Sequence, residues 1–347
     1  MEFKMTPSSA IKTALALCTL LTGLAAAAAD GPLRQLLRER LGERAAQQAG
    51  PEVPATRLVA GARIPGPGRY EIRLQHDGIE RMALVHVPKS YDPGKSTPLV
   101  MALHGGGGGM IYQANDENYG LITKSEQAGF IAVFPNGISG VQSGMLATWN
   151  AGNCCAKARD ENVDDVGFLR KLVADVGGRS NINRQRVFAI GMSNGAMMSY
   201  RLACEASDVF KGIMAVAGTD NTKQCKPAQP VPVLHIHARN DDRVIFTGGA
   251  GKAFRNEALV SDFVSVPDSI AKWVKLNRAN AKAKRVLTVP GASCDLHEAG
   301  ANGAPVELCV TDTGGHSWPG GEKNRGDEAP SKAINANDLM WEFFSRL

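Results

Sequence analysis

Two kinds of hydrophobic spacing divide the chain. From Tyr70 to Leu74 and from Met82 to Val87, apolar and polar residues alternate as in half-buried strands, and the His76-Asp77-Gly78 turn between them predicts a hairpin. Short continuous apolar runs follow at Leu99–Leu103, Phe130–Phe134, Val187–Ile190, Ile213–Val216 and Val231–Ile236, the pattern of strands buried on both faces. Helical periodicity separates most of them, over Asp165–Val176, Ala196–Ala206 and Pro267–Leu276. Alternating strand and helix predicts an α/β fold, a mostly parallel sheet with helices on both faces. A last strand at Val306–Val310 and a closing helix over Ala333–Leu347 complete the series. No Ser/Thr/Pro-rich linker interrupts residues 68–347, which predicts one domain.

A different text precedes that domain. Lys4 and Lys12 stand before an apolar run from Ala14 to Ala29 that ends in Ala27-Ala28-Ala29, the layout of a removable secretory peptide over residues 1–29. A membrane span needs about 20 apolar residues, and this Ala-rich run is shorter and carries Thr19, Thr22 and Gly23. Cys18 follows Leu17 rather than a small residue, which argues against a lipoprotein. Residues 30–67 open with Leu33, Leu36, Leu37 and Leu41 at helical spacing and then turn Pro- and Gly-rich, predicting a surface helix and a tether. The expected location is secreted or periplasmic, with no membrane attachment after cleavage.

Composition narrows the class. With 44% hydrophobic and 21% charged residues and a net charge of +5, the 347-residue chain is neither disordered nor repetitive. Lys and Arg are scattered, so no nucleic-acid footprint is expected. Beyond Cys18 the cysteines are Cys154, Cys155, Cys204, Cys225, Cys294 and Cys309, an even set that in an exported chain predicts disulfides. A hairpin through Gly300–Gly303 would join Cys294 to Cys309, and Cys204 and Cys225 can meet at the far end of the helix that begins near Ala196. Cys154 and Cys155, about 3.8 Å apart across a trans peptide, either bond to each other or cross over. Metal-ligand spacings such as Cys-x-x-Cys are missing, and His235 and His237 on one strand read as packed strand histidines, so no metal or cofactor is expected.

The chemistry begins at Gly191-Met192-Ser193-Asn194-Gly195, between a predicted strand and a predicted helix. A serine on such a turn is forced into an exposed, strained position. Its hydroxyl needs a base, and the base needs a carboxylate to orient it. In this architecture the order is Ser, acid, His on loops after successive strands, which selects Ser193, Asp241 and His316, with Asp242 as the rival acid. The loop His104-Gly105-Gly106-Gly107-Gly108-Gly109 follows the strand at Leu99–Leu103 and can aim backbone N–H groups at an oxyanion, so Gly106 and Asn194 are the candidate donors. Trp149, Trp318 and Asp165 are candidates for substrate contact, whereas Asp164 reads as a helix cap.

Five strings together carry a resemblance: Leu103-His104-Gly105-Gly106-Gly107-Gly108, Trp149-Asn150-Ala151-Gly152-Asn153-Cys154-Cys155, Asp164-Asp165-Val166-Gly167-Phe168, Gly191-Met192-Ser193-Asn194-Gly195 and Gly315-His316-Ser317-Trp318-Pro319-Gly320-Gly321. Over about residues 68–347 the chain resembles the polyhydroxybutyrate depolymerase and feruloyl esterase group of carbohydrate esterase family one. That resemblance implies an α/β-hydrolase fold, a metal-free serine esterase mechanism, export, and Ser193, Asp241 and His316 as the triad. The chain departs from the group at Ala238-Arg239-Asn240-Asp241-Asp242-Arg243-Val244-Ile245-Phe246, where a Gly-Thr-x-Asp and Val-Pro-Tyr run is more usual.

The expected activity is hydrolysis of carboxylic esters, of hydroxyalkanoate or feruloyl type, through an acyl-enzyme. Acetyl xylan esterase activity and acyl transfer to an alcohol use the same parts, and a binding module that has lost its chemistry is the non-enzyme alternative. The short stretch after His316 leads us to expect a preference for soluble or oligomeric esters over crystalline polymer.

Overall fold

In chain order the strands are β1 (Thr56–Arg57), β2 (Gly68–His76), β3 (Ile79–Val87), β4 (Thr97–Leu103), β5 (Ile131–Pro135), β6 (Ile182–Met192), β7 (Ile213–Val216), β8 (Val233–Ala238), β9 (Lys284–Val289), β10 (Ala292–His297) and β11 (Val306–Thr311). They form one 11-stranded sheet in the order β1-β2-β3-β5-β4-β6-β7-β8-β11-β10-β9. From β5 to β11 every neighbouring pair is parallel, and antiparallel hairpins extend both ends. Helices are α1 (Met110–Gln113), α2 (Asp116–Tyr119), α3 (Leu121–Ala128), α4 (Ala156–Asp160), α5 (Asp165–Arg179), α6 (Asn194–Glu205), α7 (Val266–Leu276) and α8 (Ala336–Ser345). These elements belong to a computed structural model that describes residues 54–140, 144–249, 251, 262–322 and 328–347.

The continuous apolar runs form the doubly covered strands because alternate residues feed two cores. In β4, Leu99, Met101 and Leu103 point into the core shared with Phe168, Leu172 and Val176 of α5 and Met197 and Leu202 of α6. Val100 and Ala102 point into the opposite core, with Tyr119, Leu121, Met340, Phe343 and Phe344 from α2, α3 and α8. The predicted strands and long helices are all present, with ends displaced by a few residues. Strand β10 is one arm of the hairpin expected to join Cys294 to Cys309, whereas β9 has no counterpart among the predicted elements: it is an edge strand, with Lys284, Arg285, Val286 and Thr288 exposed, so its apolar signal is diluted.

The predicted secretory peptide and surface helix lie outside the described residues. The end of the predicted tether packs on the sheet. β1 pairs in parallel with β2, Ile64 is buried, and the Arg179 guanidinium at the end of α5 donates to the carbonyls of Val59 and Ala62 at 2.8 and 3.0 Å. Disulfides join Cys204 to Cys225 and Cys294 to Cys309, the latter between register partners of the β10–β11 hairpin. Cys154 bonds to Cys155 across a cis peptide with the Cα atoms 3.0 Å apart, closer than the trans spacing assumed from sequence. Among the described residues no helix is long and apolar enough to cross a membrane.

Phe344 of α8 stacks on Phe188 of β6 with ring centroids 4.1 Å apart, at the middle of the second core. Phe344→Ala is expected to lower stability by about 3–5 kcal/mol, read from urea unfolding at unchanged denaturant slope. A loss below about 1 kcal/mol would show that this cluster contributes little.

Candidate active site

Ser193 is the single residue between β6 and α6, and it sits at φ 56°, ψ −121°. That is a left-handed conformation that a residue with a Cβ adopts only when its surroundings hold it there. Its N–H donates to the Val216 carbonyl of β7 at 2.8 Å, and its carbonyl accepts from Met197 of α6 at 3.0 Å. Two glycines make the turn feasible. A Cβ at Gly195 would collide with the Leu103 and His104 carbonyls of the neighbouring strand end, and one at Gly191 would collide with the Gly195 peptide itself.

The loops after β8 and β11 bring an acid to a base. His316 Nδ1 donates to Asp241 at 2.9 and 3.1 Å from the two carboxylate oxygens, which leaves Nε2 as the nitrogen able to accept a proton. Asp241 Oδ1 also accepts from the backbone N–H groups of Arg243 and Val244 at 2.8 and 2.9 Å. Asp242 is exposed and Asp241 is buried, so the rival acid lies on the outside of the turn. Burial alone would raise the Asp241 carboxyl, but the facing His316 and His237 outweigh it and hold the group well below the usual carboxylate range. A clamp that the sequence did not reveal ties the two loops together. Asn240 Nδ2 donates to both Glu328 oxygens at 2.8 and 2.9 Å, while Gly314 N–H donates to Glu328 and Gly315 N–H to Asn240.

Gly106 and Asn194 lie against each other: a Cβ built on Gly106 would stand 3.6 Å from Asn194 Cβ. As the first residue of α6, Asn194 has a backbone N–H with no partner inside the helix. Its side chain is committed elsewhere, accepting from Trp149 N–H at 2.7 Å and donating to the Trp149 carbonyl at 3.0 Å. His104, at the head of the glycine loop, accepts from Gly137 N–H at Nε2 and donates from Nδ1 to the Gly105 carbonyl.

Two of the candidate substrate contacts are corrected here. Trp149 is fully buried; its ring packs on His104 with centroids 4.9 Å apart and its Nε1 donates to the His104 carbonyl. It braces the glycine loop from behind and lines no part of the cavity. Asp165 is also fully buried, accepting from Arg81 at 2.7 Å and from Asn150 N–H at 2.8 Å. It is a structural anion, and removing one partner of such a pair costs about 3–5 kcal/mol. Asp164 caps α5, accepting from Gly167 N–H at 2.9 Å as its position implied.

Ser193, His316, Gly106 and Asn194 open on one cavity of about 330 Å³ at the carboxyl ends of the parallel strands. Trp318 does line it, held by an Nε1 bond to Asn337 and packed edge-on against Tyr119 at 5.5 Å. The wall contains further residues that sequence reasoning missed: Tyr112, Tyr119, Met192, Met197 and Phe263, with Arg243 and Glu322 as charged members and the Cys154–Cys155 pair on one side. The aromatic and methionine residues among them come from separate segments; of these only Met192 lies within a motif that the sequence singled out.

The chain matches no family model. Its sequence is 27% identical over 245 residues to feruloyl esterase B of Piromyces equi, which covers 68% of this chain and 42% of that protein, and so less than half of the relative's length. It is 29% identical over 199 residues to feruloyl esterase C of Emericella nidulans, covering 55% of this chain and 67% of that one. Its fold superposes on the acetyl xylan esterase from Aspergillus awamori with a TM-score of 0.54 at 13% identity, over 80% of this chain and 99% of that chain. This is the α/β-hydrolase fold, as the sequence motifs implied.

Buried histidines around the site predict a fold that loses stability in acid. Burial pushes His104 down to about 4 and His235 well below its ordinary value. The unfolded chain then binds more protons than the native one below about pH 6.5. Stability is therefore complete above that pH and falls as pH drops toward 4, with His104 alone contributing a loss of about 3 kcal/mol at pH 4. Melting temperatures measured from pH 7 to 4 should decline, and His104→Gln should flatten the decline; a pH-independent melting temperature would contradict the assignment of neutral buried rings.

Proposed function

We propose that this protein is an exported serine esterase in which Ser193, His316 and Asp241 form the triad and Gly106 and Asn194 supply the oxyanion donors. One observation carries the reading: a serine held in a strained turn and a histidine tied to a buried aspartate open on the same cavity. In the proposed reaction the Ser193 hydroxyl attacks the ester carbonyl while His316 Nε2 takes its proton. Asp241 keeps the other imidazole nitrogen protonated, so the imidazolium that forms faces a carboxylate. The carbonyl electrons move onto oxygen, where the Gly106 and Asn194 N–H groups receive them. Collapse of that intermediate expels the alcohol with the proton from His316, and water reverses the sequence to release the acid.

The substrate class we infer is an ester with a flat aromatic or compact aliphatic acyl group, feruloyl-type esters first. Trp318, Tyr112, Tyr119 and Met192 give one apolar wall, suited to a ring whose edge or face meets theirs. The names of the feruloyl esterase relatives support this choice. Export accords with the three disulfides and with the secretory pattern of residues 1–29.

Ser193→Ala and His316→Ala are each expected to lower kcat on the order of 10⁴-fold without unfolding the protein, because triad members act as a unit. Asp241→Asn is expected to cost far more than Asp242→Asn, and the reverse ranking would displace Asp241 as the acid. Activity on methyl ferulate, hydroxybutyrate oligomers and acetylated xylan, with the Ser193→Ala variant as control, tests the substrate class. Turnover of acetylated xylan well above that of methyl ferulate would overturn the aromatic-acyl assignment.

A further inference from the structure

Beside Asp241, reaching the same Oδ2 that His316 contacts, lies a row of buried polar rings that the proposed reaction does not use. His235 and His237 alternate on β8 onto one face of the sheet, both buried, where α6 places Tyr200. Tyr200 Oη is 2.8 Å from His235 Nδ1, His235 Nε2 is 3.1 Å from His237 Nδ1, and His237 Nε2 is 2.8 Å from the Val244 carbonyl and 3.3 Å from Asp241 Oδ2. The acceptors fix the direction. A carbonyl and a carboxylate can only accept, so His237 Nε2 carries the proton. With one proton per ring, His237 Nδ1 accepts from His235 Nε2–H, and His235 Nδ1 accepts from the Tyr200 hydroxyl. The row therefore runs from Tyr200 through His235 to His237, whose Nε2–H donates to the Val244 carbonyl and stands 3.3 Å from Asp241 Oδ2.

We infer that His237 is a positioning residue of the triad: its Nε2–H, locked by the His235–Tyr200 relay, holds the Val244 peptide whose own N–H binds Asp241 Oδ1, and at 3.3 Å from Oδ2 it offsets part of the carboxylate's negative charge. The inference rests on Asp241 being the triad acid. Burial keeps His235 far below its ordinary value, in keeping with an uncharged relay, since a second buried cation beside the pair would have no counterion. The charged and titratable surroundings are few. Around His237 stand Asp241, His235 and the Phe246 ring, with the Arg239 guanidinium over that ring. Tyr200 is backed by Trp273 and by Asp220, which pairs with Lys272. Around His316 are Asp241, the Glu328 carboxylate beside Gly315, and Arg243 and Glu322 across the cavity.

The sign of the effect follows. Without the His237 donor, Asp241 presents more negative charge to His316, the imidazolium is favoured, and the acidic limb of kcat/KM moves to higher pH. His237→Phe should lower kcat on the order of tenfold or more through misplacement of the acid, leave KM within about twofold, and raise the limb by about half a pH unit. His237→Gln, whose amide keeps a donor, should return the limb toward the wild-type position. A folded His237→Phe protein with wild-type kcat and limb would overturn the inference. So would a lowered kcat whose limb is unmoved and which Gln does not restore, because that is a packing effect. If His237→Phe does not fold, Tyr200→Phe replaces it, removing one oxygen two hydrogen bonds away. A smaller upward limb shift supports the relay, and an unmoved limb overturns it. Ser193→Ala separates the two readings: full activity there removes the triad and this role with it, whereas an inactive Ser193→Ala with an unmoved limb in the His237 variants removes the positioning role alone.

Discussion

Helix α6 approaches the end of β4 so closely that only hydrogen fits at residue 195, and the site is arranged around that contact. A Cβ there would drive into the carbonyls of Leu103 and His104; its absence lets the helix start directly against the loop that follows β4. The first N–H groups of α6 and the backbone of the glycine loop therefore share one small region, and Ser193 is pushed up between them in a conformation it would not choose. The strain is held from several directions, by the Val216 carbonyl, by the first turn of the helix and by the Asn194 side chain on the Trp149 backbone.

The support for that contact is polar and buried, which has an energetic consequence. Trp149 is bonded to Asn194 on one side and to His104 on the other, and the next residue, Asn150, is anchored by Asp165, whose counterion is Arg81 lying 3.9 Å over the Phe168 ring. Paired groups in a low-dielectric interior stiffen one another, although Arg81 uses only Nη2 for its hydrogen bonds, and such groups are costly when a partner is lost. The interior behind the site therefore tolerates little substitution, while the aromatic and methionine wall of the cavity depends on size and shape and can vary more freely.

How much of this was legible depends on the range of the interaction. The buried strands, the long helices, the Ser193 turn and the order of Ser193, Asp241 and His316 were readable because period, turn chemistry and chain order are local or one-dimensional signals. Chain order selected Asp241 but kept Asp242 as its rival, since adjacent carboxylates differ only in which one the turn faces inward. Trp149 and Asp165 were misjudged for a related reason. An aromatic or acidic residue close in sequence to a glycine-rich motif reads the same whether it faces substrate or supports the motif from behind, and only burial separates the cases. The Asn240–Glu328 clamp joins residues 88 positions apart, a pairing that no periodicity announces. Edge strand β9 went unseen because one face is solvated and the other is half covered.

Two of the disulfides act next to elements that carry the proposed site, and the third lies in the loop beside the cavity. Cys204–Cys225 ties the far end of α6 to the segment that leads into β8, so the helix bearing Asn194 is fixed at both ends, by close packing at one and covalently at the other. Cys294–Cys309 joins the outer hairpin to β11, the strand that leads to His316. Cys154–Cys155 lies in the loop beside the cavity, with Asn194 Nδ2 3.7 Å from the Cys154 sulfur. Loops are the natural place for reacting groups because they can be shaped without disturbing the core, yet loops are also where a chain loses its geometry first. Crosslinks next to the ends of α6 and β11 reconcile the two demands: the proposed nucleophile and base sit on turns, but each turn continues an element whose position is already fixed.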